Sequence, residues 1–256
     1  RTVAIASWDA EDWGLIGSTE WGEEHADELP GKVAVYLNRE SYHQGDFGAS
    51  GSHALQPLVN DVARVVAFPR DATGLTVWEN WRSSEADDDE SSLVARDGDT
   101  DVRMGALGSG SDYTVFIDHL GIPSVNLGFS AGNGIYHSRY DTHHYFTTFG
   151  DPGFVTGERL AEVVALFLAR LANAAVMPFD YRSTAETVDR YLDELEGEAA
   201  AAGMDVPLGG VRAANAEFAT ATDELDQAVE RLLAGGDPPQ EHLDAVNGLL
   251  LDIERG

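Results

Sequence analysis

The chain has no cysteine and a single lysine, Lys32, and its 16 lysine and arginine residues stand against 45 aspartate and glutamate residues, a formal net charge of −29. Each absence excludes something. Without cysteine there is no disulfide and no thiolate metal site, so any metal must be held by histidine, aspartate or glutamate. Without clustered cations the chain lacks the phosphate-binding surface that nucleic-acid recognition needs. No apolar run approaches the ~20 residues of a membrane-spanning helix. Arg1 leads directly into a strand-like segment, which leaves the compartment unknown. An acid excess spread over the whole chain fits a surface adapted to high salt, where ions screen self-repulsion, better than a local patch recruiting a basic partner.

What is present suits a folded protein. The 256 residues are 43% hydrophobic and 9% aromatic, enough for one large core with or without an appendage. Residues 2–7 read as a buried opening strand and Glu20 to Leu29 as a helix closed by Pro30-Gly31. Val33 to Leu37 reads as a second strand, and Leu55 to Phe68 has apolar residues at helical spacing. The acidic, serine-rich stretch 83–101 reads as a solvated loop, with too little aspartate–glycine spacing for a calcium site. A helix at 113–120, a strand at 123–129, a glycine- and histidine-rich loop at 130–144 and a long amphipathic helix at 155–174 follow. Beyond Pro178 the strand signals stop, and 184–202, 211–233 and 241–253 read as helices parted by glycine-rich breaks.

Chemistry-bearing residues gather at strand exits, where an open α/β sheet places its site. Glu11 and Asp12 follow the first strand, Glu40 the second, and His137 lies in the loop after the third. Adjacent carboxylates can divide the work, one binding a metal and the other handling a proton. Taken singly, each has a plainer reading: a capping pair, a surface acid, and one loop histidine among His137, His143 and His144.

The local sequences weigh more together. Ser7-Trp8-Asp9-Ala10-Glu11-Asp12-Trp13-Gly14 and the residues to Trp21 resemble the segment bearing the catalytic glutamate in the glutamate carboxypeptidase and transferrin receptor family of two-zinc peptidases. Tyr36-Leu37-Asn38-Arg39-Glu40 resembles its next metal-binding strand end. Leu107 to Tyr113 resembles its substrate-contacting loop, and Gly134 to Thr142 the segment of its last histidine ligand. Met177-Pro178-Phe179-Asp180-Tyr181 resembles the start of its dimerisation domain.

The resemblance implies roles residue by residue. Glu11 corresponds to the general base and Tyr136 to the residue whose hydroxyl helps hold the tetrahedral intermediate. Asp12 corresponds to a carboxylate ligand of one zinc, Glu40 to a ligand of the other, and His137 to the terminal histidine ligand. Gly110 and Ser111 fall in the substrate-contacting loop. Asp12 stands where the family usually has glutamate, and Glu40 where it usually has aspartate. The family's remaining histidine and bridging aspartate belong to a segment upstream of the strand that begins here at Arg1, so the chain reads as truncated at both ends.

The expected fold is therefore α/β. A mixed, mostly parallel sheet flanked by helices, like that of zinc exopeptidases, fills 1–178, and an incomplete helical dimerisation-type domain fills 179–256. The expected function is a two-zinc exopeptidase acting on small peptides, weak or inactive as this chain alone and homodimeric through the helices. Zinc would be present at two per site in the complete parent and absent here if the upstream ligands are required. The parent would be extracytoplasmic or membrane-anchored. The competing reading is a non-catalytic, transferrin-receptor-like binding or dimerisation module that has lost its metals.

Overall fold

The structure, a computed structural model, describes residues 2–39, 42–86, 92–96, 98–132, 134–236 and 238–255. Its centre is a three-stranded mixed sheet in the order β1-β5-β2, formed by β1 (Tyr36–Asn38), β2 (Asp46–Gly51) and β5 (Ser124–Ser130). β5 pairs in parallel with β1 and antiparallel with β2. A separate antiparallel hairpin joins β3 (Leu93–Arg96) to β4 (Asp99–Val102). The described sheet is thus less parallel than the sequence predicts.

β5 alternates cleanly. Val125, Leu127 and Phe129 are buried on one face, and in register they oppose Gly51, Ala49 and Phe47 of β2. Phe47 and Phe129 meet edge to face with ring centroids 5.4 Å apart. Onto this face pack Leu58, Val59 and Val62 of α2 (Gln56–Ala63), Trp81 of α3 (Val77–Ala86), and Leu160, Val163 and Phe167 of α5 (Val155–Asn173). Burying side chains of this size stabilises the fold by about 1.5–3 kcal/mol each.

Two buried polar side chains of α2 tie the sheet core to the hairpin. Asn60 accepts from Trp78 Nε1 at 2.9 Å and from the Val102 amide at 2.8 Å. Its Nδ2 donates to Gln56 O at 3.0 Å and Val102 O at 2.9 Å. Gln56 Oε1 accepts from the Met104 amide at 2.9 Å. Beside them the buried Asp101 lies 3.0 Å from Arg64 Nη2 and 2.9 Å from Arg96 Nε.

Several expectations are corrected. Residues 2–7 are not a buried strand: Ile5 is 96% exposed, and no ladder includes them among the described residues. An apolar run becomes a strand only when a neighbour satisfies its backbone, and none pairs with it among the described residues. The second strand starts at Tyr36 rather than Val33. β2, whose glycines and lack of β-branched residues hid it, is strand because β5 pairs along its whole length. The stretch that reads as a solvated loop contains β3 and begins β4, while its acidic residues 87–90 lie outside the described residues. The first helix, α1 (Ile16–Glu24), begins and ends earlier than predicted. The segment before β5 holds a π-helical turn, Val115–His119, and α4 (His143–Tyr145) is a short turn of helix.

The C-terminal helices are α6 (Tyr181–Ala201), α7 (Gly209–Ala234) and α8 (Gln240–Arg255). α6 starts ahead of the predicted Thr184 because Asp180 caps it, accepting from the Ser183 amide at 3.3 Å. The hairpin α6–α7 is fastened by Asn215 Nδ2, which donates to Ala185 O and Asp189 Oδ1, each at 2.9 Å. Phe179, Tyr181 and Leu250 belong to the same buried cluster as the sheet, and the Tyr181 hydroxyl donates to Leu250 O. No described helix is long and apolar enough to cross a membrane.

Candidate active site

The turn that carries Glu11 and Asp12 is built by the main chain. The amides of Gly14 and Leu15 donate to Glu11 O at 3.0 and 2.9 Å, and the Gly17 amide donates to Asp9 O at 3.0 Å. Ala10 and Leu15 sit in the left-handed region at φ 57° and 59°. The chain doubles back so closely that a Cβ on Gly17 would lie 2.4 Å from Asp9 O. Only glycine fits there.

Beneath the turn, Trp8 is the anchor. Its ring packs on Trp21 and Phe116 at centroid distances of 5.2 and 5.9 Å. Its Nε1 donates to the Tyr36 hydroxyl at 3.0 Å, which donates to Asn38 Oδ1 at 3.2 Å. Asn38, buried at the exit of β1, donates from Nδ2 to Ser111 Oγ at 3.0 Å and Asn126 Oδ1 at 3.2 Å. The Ser18 hydroxyl donates to Asp112. Two sets of hydrogen bonds therefore tie the segments on either side of the carboxylate turn to both parallel strands and the 109–112 loop.

On the open side, His137 Nε2 stands 3.6 Å from Asp12 Oδ1, and both side chains are largely exposed. Among the three loop histidines, only His137 has a carboxylate within 4.0 Å among the described residues. Tyr136 stacks on His137 with centroids 3.8 Å apart, and His137 is itself left-handed at φ 56°. Glu11 is half-buried in the turn. Gly110, at φ 126°, is exposed, whereas Ser111 is buried with its hydroxyl held by Asn38. Glu40 lies outside the described residues.

The donor set can be tested against zinc. A separation of 3.6 Å is too long for a hydrogen bond and close to the ~3.3 Å between two ligands of a tetrahedral zinc with ~2.0 Å bonds. Asp12 and His137 thus fit one edge of one metal's shell. Among the described residues no three histidine, aspartate or glutamate side chains gather closely enough to hold a metal. The fit is to part of a site.

A description of peptidase family M28 matches residues 1–149. The chain belongs to peptidase family M28. Similar proteins include a probable glutamate carboxypeptidase, LAMP1, of Arabidopsis thaliana, 38% identical over 80% of this chain and 28% of its own length. A probable glutamate carboxypeptidase of Arthroderma benhamiae is 33% identical over 90% of this chain and 31% of its own. The aminopeptidase NAALADL1 of Rattus norvegicus is 29% identical over 100% of this chain and 35% of its own. The chain thus spans about a third of the length of the curated relatives it matches. The predicted kinship with glutamate carboxypeptidases holds.

Sequence reasoning singled out Glu11, Asp12, Tyr136, His137, Gly110 and Ser111, and the structure brings Asp12, Tyr136 and His137 together. It missed Trp8, Ser18, Asn38, Asp112 and Asn126 as a bonded set. The available signal was the asparagines at strand positions, where an unpaired amide is costly and a partner is expected.

Proposed function

We propose that this M28 chain carries part of the active site of a zinc-dependent exopeptidase acting on small peptides. The observation supporting it is the approach of His137 to Asp12 beside Glu11, from segments far apart in sequence. In this reading Asp12 and His137 hold one zinc, and Glu40 supplies a ligand to a second. Zinc, when bound, supplies a Lewis acid that polarises the scissile carbonyl and acidifies the attacking water.

The chain's own residues do the rest. Glu11 takes the proton from the attacking water and passes it to the leaving amine. The Tyr136 hydroxyl donates to the oxyanion as it forms. Ser111, held by Asn38, fixes the loop on which Gly110 presents its backbone to the peptide. With two donors in the described site, the 256-residue chain alone binds zinc weakly and turns over slowly. Homodimerisation through α6–α8 and an extracytoplasmic or membrane-anchored parent complete the proposal.

The test is Glu11→Gln in a peptide-hydrolysing form of the protein. Turnover is expected to fall by a factor on the order of a thousand or more with zinc content by atomic emission unchanged. Unchanged turnover overturns the role of Glu11. Absence of both zinc and hydrolysis in every form would favour the non-catalytic binding module instead.

A further inference from the structure

Away from Glu11, Asp12 and His137, a cavity of about 420 Å³ opens between the β3–β4 hairpin and the α6–α7 pair. Its walls carry six acids, Asp101, Asp180, Glu186, Asp223, Asp226 and Glu230, against two arginines. Both arginines are already committed, Arg96 to Asp61 and Asp101, and Arg182 to Asp223. Asp180 caps α6. Among the described residues, Glu186, Asp226 and Glu230 make no ion pair. They are the carboxylates available to something else.

Two further side chains lining the cavity are almost wholly buried, Gln56 at 1% exposure and Ser183 at 7%. The Oε1 of Gln56 accepts from the Met104 amide, which fixes the orientation of its side-chain amide. Its NH₂ group then has no acceptor among the described residues, and neither does the Ser183 hydroxyl have a partner. A buried donor left unmet costs about 1–3 kcal/mol unless something in the cavity accepts from it. The walls therefore offer negative charge and a fixed neutral donor together.

That pairing selects the ligand. Among the described residues no three carboxylates converge closely enough for a metal ion, and the volume lies in the range of small-molecule sites. A polyamine would satisfy the acids but bring no acceptor for Gln56. A free amino acid would bring an acceptor, but one carrying a negative charge into an acidic cavity. We infer that this cavity is a second binding site, for a basic residue within a peptide, with its ammonium or guanidinium on Glu186, Asp226 and Glu230 and its uncharged carbonyl oxygen on the Gln56 amide.

The electrostatics agree. Burial lifts Asp101 to about 6 against the pull of Arg96 and Arg64. Burial, reinforced by Asp180 and Asp223, lifts Glu186 above the ordinary carboxylate range despite Arg103 and Arg182. Burial, together with Asp180, Asp223 and Glu230, lifts Asp226 in spite of Arg182. Ionised acids held at such a cost are stabilised by any cation that enters.

The experiment is calorimetric titration of the 256-residue chain with argininamide, agmatine and arginine at one ionic strength set with sodium chloride. Argininamide is expected to saturate a single site. Agmatine, which lacks the carbonyl, and arginine, which carries a carboxylate, are each expected to bind about tenfold or more weakly. Asp226→Asn and Glu186→Gln should each weaken argininamide by about tenfold. Equal binding of argininamide and agmatine, or heat that vanishes at matched ionic strength, would show only an ion atmosphere and overturn the inference. So would unchanged affinity in both variants. If a variant fails to fold, the comparison of the three ligands on the parent chain decides alone.

Discussion

The carboxylate turn at Glu11–Asp12 and the polar cluster around Asn60 place functional groups in opposite ways. The turn is exposed, and main-chain hydrogen bonds together with one glycine set its shape. The cluster is buried, and its shape depends on side chains: Asn60 satisfies four partners, and Asp101 sits between two arginines. A site on a backbone frame keeps its side chains free for chemistry, whereas a buried network spends them on structure. Damage to the first should cost activity, and damage to the second should cost the fold.

Asn60→Ala should break this contrast most severely. It strands the Val102 amide and carbonyl, Gln56 O and Trp78 Nε1. A loss of about 3 kcal/mol or more in urea unfolding is expected; a loss under about 1 kcal/mol would show that water replaces the network. Asp151→Asn comes next. Asp151 is fully buried, accepts from Thr156 and Gly157 at the start of α5 and pairs with Arg70 at 2.8 Å. Removing that charge should cost about 2 kcal/mol, read as a drop in melting temperature.

Gly17→Ala sharpens the other side. The added methyl collides with Asp9 O, so a cost of about 1–3 kcal/mol is expected. Zinc affinity and turnover in an active form should fall with it, because the frame of Glu11 and Asp12 shifts. Unchanged zinc binding would mean that the turn does not position the site.

The smallest effect concerns pH. Asp101, at about 6 in the fold, lies above its unfolded value, so its ionised form opposes folding. That penalty is full above pH 6 and fades as pH falls towards 4. Asp151 runs the other way. Burial would raise it, but the Gly157 amide, Arg70 and Thr156 outweigh burial and hold it below the ordinary aspartate value. Its stabilisation is present above the unfolded value near 4 and disappears as pH falls further. Melting temperature should therefore peak on the acid side, between about pH 4 and 6. A monotonic decline from pH 7 would contradict the balance.

How much of this was legible follows from where the information lies. β5, α5 and the C-terminal helices carry their period in consecutive residues, so sequence pattern finds them. β2 becomes a strand only through β5, and the β3–β4 hairpin disguises itself with charge. Residues 2–7 have the opposite fault, an apolar pattern with no strand partner among the described residues. At the candidate site, contiguous motifs pointed to Glu11, Asp12 and His137. The chain from Trp8 through Tyr36 and Asn38 to Ser111 joins separate segments that no local window contains. The acid-walled cavity was hidden likewise, its walls coming from α2, the hairpin, α6 and α7.

The crossing of Gly17 over Asp9 bears on how such a site can change through descent. Because main-chain bonds and a missing Cβ set the turn, positions 11 and 12 keep their places whatever side chains they bear. Glutamate can shorten to aspartate at position 12 without refolding the segment. Side chains at these two positions can thus be exchanged one at a time while the scaffold persists, and the demand for constancy falls on the glycine at position 17.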